Sequence, residues 1–106
     1  MNNVERIEEL IYVELSVVRE LRDNFQEELK AGYQGNQIQI QEIRKERQEI
    51  LLALRLTKQK IAEELRRQGV DRFEDLKYGA FRQLASIIEK IQEVVLSISQ
   101  LRECIL

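Results

Sequence analysis

A chain of 106 residues is long enough to form one domain with a core of its own, and the absence of any proline favours helix throughout. Charged residues make up 34% and hydrophobic residues 43%, with Glu, Lys, Arg, Gln, Leu and Ile dominating, which is the composition of long packed helices. The net charge of −2 gives no general attraction to nucleic acid or anionic membranes, and no apolar run approaches the roughly 20 residues of a membrane span. The start, Met1 to Arg6, lacks the basic-then-apolar order of a signal peptide, and the one cysteine, Cys104, has no internal partner. The expected location is therefore cytoplasmic.

Helix 1 is predicted from about Asn3 to Lys30, with Asn2 and Glu5 spaced as a capping box. Its apolar face reads Val4, Ile7, Leu10, Ile11, Val17, Val18, Leu21, Phe25 and Leu29, interrupted at Glu14. The cluster Ala31-Gly32-Tyr33-Gln34-Gly35 ends it and permits a tight reversal. Helix 2 is predicted at about 36–68, capped by Asn36 with Gln39 three residues on. Gln37 to Gln41 alternates with period two, as a strand would, but no partner strand exists elsewhere, so the helical reading is preferred. The stripe continues through Ile43, Ile50, Leu51, Leu54, Ile61 and Leu65. Arg47 and Lys58 also fall on it, where their stems can cover apolar surface while the charges stay wet. Arg66, Arg67 and Gly69 mark its end.

Helix 3 is predicted at about 72–105, capped by Asp71 with Glu74, with Gly79 as the point of a kink or of a break between a short first piece and the long one. Within it, Leu84, Ile87, Ile91, Val94, Ile98, Leu101 and Ile105 fall at alternating steps of three and four, and Ile88 and Val95 widen the stripe. So broad a face is expected to pack against more than one neighbour, which makes this stretch the predicted hub. Short turns between long helices give antiparallel neighbours. The expected fold is all-α: a single domain, 1–106, forming an elongated antiparallel up-down-up three-helix bundle with coiled-coil-like packing. Charge is unevenly divided, with residues 1–30 at −4, 31–70 at +3 and 71–106 at −1. This division favours pairing of the first two helices with each other over self-association of either.

The candidate sites are few. Arg44, Lys45 and Arg47, with Arg55, Lys58, Lys60, Arg66 and Arg67, could form a phosphate-binding face. The interleaved Glu42, Glu46, Glu49, Glu63 and Glu64 weaken the field that counterion release needs, so a solvated face is the preferred reading. Glu5, Glu8 and Glu9, or Glu27 and Glu28, lack the histidines of helical two-metal sites, and no metal or cofactor is expected. Tyr12, Tyr33 and Tyr78 read as amphipathic packing residues. Cys104, with an acidic neighbour and no base, reads as inert. No catalytic motif occurs, and the expectation is a non-enzyme.

Glu27-Glu28-Leu29-Lys30-Ala31-Gly32, followed by Ile43 to Leu54 with Lys45 and Glu46 ahead of Ile50-Leu51-Leu52-Ala53-Leu54, reads as long helix, short turn, second helix. With Arg72-Phe73-Glu74-Asp75-Leu76 opening a further helix, this resembles the FlgN-type flagellar export chaperones over about residues 10–100. The chain departs from them in its shorter length and in carrying Ser97 and Ser99 where asparagines often occur in that family. The resemblance implies a helical chaperone that holds an amphipathic helix of its client before secretion. The residues agree in one respect: the last helix stops in mid-pattern on Ile105 and Leu106, leaving apolar surface for a contact unless the chain continues. The expected partner-binding residues are Val94, Ile98, Leu101 and Ile105. They would hold a helix of a partner protein or of a second copy of the chain, the latter making a self-assembling structural homo-oligomer. Neither nucleic acid nor membrane is an expected partner.

Overall fold

The computed structural model describes residues 3–70 and 84–105. It is an all-α three-helix bundle, built from α1 (Asn3–Tyr33), α2 (Gln37–Arg67) and α3 (Ala85–Ile105). No strand occurs among the described residues, and Gln37 to Gln41 is the first turn of α2. There the period-two pattern resolves into one buried residue, Ile40, and one exposed residue, Ile38. At 1.5 Å per residue, 31 residues make about 46 Å of helix, which matches the elongated 50 × 21 × 20 Å envelope.

The α1–α2 reversal is fixed by backbone chemistry. Asn36 N–H donates to Ala31 C=O at 3.0 Å and Gly35 N–H to Gly32 C=O at 3.1 Å, the paired bonds of a Schellman cap. Gly35 takes φ +68°, which a β-carbon would strain. Asn36 then caps α2: its Oδ1 accepts from Gln39 N–H at 3.1 Å, and its Nδ2 donates to Gln39 Oε1 at 3.3 Å. Gly32 and Tyr33 are inside α1, so the helix runs three residues past its predicted end and Gly35 alone makes the break. The end of α2 repeats the device: Val70 N–H donates to Leu65 C=O, Gly69 N–H donates to Arg66 C=O, and Val70 folds back onto the core. The predicted start of helix 3, with its cap at Asp71 and kink or break at Gly79, lies outside the described residues, as does Asn2.

The hub is α1, a correction to the expectation that the last helix is shared. Among the described elements α1 packs along both α2 and α3, while α2 and α3 barely approach each other. The reason is in the spacing on α1. Ile7, Ile11, Glu14, Val18, Leu21, Phe25 and Glu28 alternate steps of four and three, and Leu10, Val17, Asn24 and Ala31 form a second row at steps of seven. All are buried. Two buried rows let one helix face two neighbours. From α2 come Ile43, Ile50, Ile61 and Leu65, and from α3 and the residue just before it Leu84, Ile87, Ile88, Ile91, Val94 and Ile98. Val95, expected to widen that stripe, is instead about half exposed.

Candidate functional site: an open groove beside α1

A polar network crosses the α1–α2 interface. Asn24 Nδ2 donates to the Ile43 carbonyl at 2.9 Å, and Asn24 Oδ1 accepts from Arg47 Nε at 2.7 Å. Arg47 also donates to Glu28, and its guanidinium lies 3.8 Å from the centre of the Phe25 ring. Arg44 adds two bonds to Glu28 Oε2, at 3.1 and 3.3 Å. Burial alone would raise the Glu28 carboxyl, but the hydrogen bonds and charges of Arg44 and Arg47 outweigh it and hold the group below the usual glutamate range. The expectation that Arg47 keeps its charge in water is therefore corrected, since its side chain is only 13% exposed and the charge is satisfied inside the protein. A buried Asn and Glu on α1, one helical turn apart, supply the acceptors that turn it inward.

Next to this network the bundle is open among the described residues. Because α2 and α3 both lie on α1 without closing on each other, a groove of about 600 Å³ runs between them. Leu21, Phe25 and Glu28 of α1 contribute to its walls, with Arg44, Arg47 and Leu51 of α2, and Ile98, Arg102 and Ile105 of α3. The same flank of α2 borders a shallower hollow of about 400 Å³, where Leu51, Leu54, Arg55, Lys58 and Ala62 share one helical face. Below it, Glu14 of α1 is buried. Desolvation pushes its carboxyl above the usual range, and the positive charge of Lys58 offsets part of that rise.

The four predicted partner-binding residues separate. Val94 and Ile98 are buried in the core of the chain itself, and Leu101 and Ile105 are half-buried at its edge. Ile98 and Ile105 border the groove. Leu101 lies on the opposite flank of α3, beside Arg22, Gln26 and Cys104. Phe25, Leu51 and Arg102 also border the groove and are not among the four. The available signal was on α2, where Leu51, Leu54 and Lys58 form a row beside the buried Ile50–Thr57–Ile61 seam. The basic cluster is partly used up internally, because Arg44 and Arg47 are spent on Glu28. Tyr12, Tyr33 and Cys104 are exposed. Among the described residues there is no group of three acidic, histidine or cysteine side chains placed to hold a metal, and no helix long and apolar enough to cross a membrane.

No family model, curated protein or solved structure matches the chain.

Proposed function

We propose that this chain is a non-enzymatic protein-interaction module whose groove between α2 and α3 receives an amphipathic helix of a partner protein. The observation behind this reading is the unclosed third interface. Among the described helices two of the three pairs are packed, and the third leaves Leu51 40% exposed beside an apolar floor. A fourth helix laid there would meet neighbours at the usual interaxial distance of about 8–10 Å. The resemblance to export chaperones, which implies a bound amphipathic helix of a client, points the same way.

The test is site-specific photocrosslinking of the full chain in the cells that make it. The crosslinker replaces Leu51 in one strain and Tyr12, exposed on α1 away from the groove lining, in another. A discrete heterologous adduct from position 51 and none from position 12 is the expected result. Equal labelling from both positions would overturn the groove reading, and an adduct at twice the chain mass of 12.6 kDa would replace it with self-assembly.

A further inference from the structure

The charges around the groove are unbalanced, and their arrangement narrows the occupant. Three guanidinium groups, Arg44, Arg47 and Arg102, border it against one carboxylate, Glu28. Glu28 is 3% exposed and already bonded to Arg44 and Arg47, so it offers an occupant nothing. Arg44 keeps 60% of its side chain exposed while bonded, and Arg102 is exposed with no carboxylate partner among the described residues. The wall between them is apolar, with Leu21, Phe25, Leu51, Ile98 and Ile105.

We propose that the occupant is an acidic amphipathic helix of a partner protein, with aliphatic residues against Leu51 and Ile98 and an Asp or Glu on Arg102. This rests on the groove reading above and adds the chemistry of the partner. A carboxylate is favoured because a guanidinium bordering an apolar wall pairs with it in two parallel bonds, and partial exclusion of water strengthens that pair. A second copy of this chain fits less well. Its acidic element is α1, at −4 over residues 1–30, but the apolar rows of α1 are already buried, and among its described residues the large exposed apolar groups are Tyr12, Val13 and, at its end, Tyr33.

The experiment is selection of helix-forming 20-residue peptides from a display library on the intact chain, followed by affinity measurement. Enriched peptides should repeat apolar residues at three and four and carry Asp or Glu at a fixed offset. Replacing that acid by Asn or Gln should weaken binding about tenfold, the size of one charge-assisted hydrogen bond. Arg102→Glu should weaken the acidic peptide by at least as much and shift a repeated selection toward Lys. Added salt should weaken the acidic peptide more than its amide version. Arg102 is exposed on α3, so the variant should keep the wild-type circular dichroism and melting curve. Peptides that compete for the groove without acidic bias, indifferent to Arg102→Glu but lost in Leu51→Asp, would overturn the charge proposal and leave the groove reading standing. Enrichment of no helical peptide, or binding indifferent to Leu51→Asp, would overturn both.

Discussion

Glu28→Leu tests whether the α1–α2 interface is set by its buried network. The substitution puts a branched apolar side chain of comparable volume in its place and removes the acceptor shared by Arg44 and Arg47. Arg44 is largely exposed, and its loss contributes only a few tenths of a kcal/mol. Arg47 is different. Its side chain is 13% exposed, and without Glu28 it keeps only Asn24 Oδ1 and the Phe25 ring. Leaving one member of a buried pair uncompensated costs about 3–5 kcal/mol, and the low end applies because Arg47 borders the groove. The double variant Glu28→Leu/Arg47→Leu removes the stranded charge. It should recover all but about 1 kcal/mol, the residual cost of Asn24 losing its donor. Urea denaturation followed by far-ultraviolet circular dichroism at pH 7, with a common m-value, reads both. The pH dependence has a definite sign. The folded-state pKa of Glu28 is depressed, so its stabilisation is present above the unfolded value of about 4.3 and is lost as pH falls through the folded one. The gap between wild type and Glu28→Leu should therefore narrow only in acid. A single-variant loss below about 1 kcal/mol, or a double variant no better than the single, would show that Arg47 swings into water at no cost and that the network does not hold the interface.

Glu14 should behave oppositely. Its folded-state pKa is raised by burial, so the stability associated with its neutral form is full below the unfolded value and is lost as pH rises through the folded one. Glu14→Gln should melt higher than wild type at pH 7 and equal to it near pH 4, as calorimetry would check. The two turn glycines should separate cleanly by chemical denaturation. Gly35→Ala, at φ +68°, should lose about 1 kcal/mol. Gly32→Ala, inside α1 with open space around the added carbon, should gain about 0.4–1 kcal/mol. Ile88→Ala empties a fully buried site and should cost about 2–5 kcal/mol. Leu96→Ala, 61% exposed one helical turn from Gln92, should stay within about 0.5 kcal/mol. Reversal of that order would mean that the face assigned to α3 is wrong.

The helices themselves were legible because apolar spacing and capping chemistry agree at each end: Asn36 with Gln39, Gly35 after α1, and Gly69 after α2. The choice of hub was not. On α3 the stripe is purely aliphatic, so it looks dominant, whereas the longer double row on α1 is broken in composition by Glu14, Asn24 and Glu28. Those three are buried because α2 supplies their partners or charges: the Ile43 carbonyl, Arg44, Arg47 and Lys58. Hydropathy along one helix cannot register a partner on another. The same limit governs the site. Ile98 and Ile105, named from α3 alone, do border the groove. That Leu51 and Arg102 face each other's helix across an unfilled space depends on which pair of helices fails to close, and periodicity carries no such information.

The division of labour between the two packed interfaces bears on how a groove of this kind can work. The network at Asn24, Glu28, Arg44 and Arg47 joins α1 to α2 through directional hydrogen bonds, and Arg6 and Glu64, 3.9 Å apart, form a looser ion pair near the other end. Sliding α2 by one turn would break buried bonds that have no water to replace them. The third helix sits on α1 through Leu84, Ile87, Ile88, Ile91, Val94 and Ile98, whose contacts depend on area and shape and much less on direction. The register of Leu51 and Arg44 along the groove is thus set by the buried network on α2, while the position of Ile98, Arg102 and Ile105 is set by the aliphatic packing of α3 on α1.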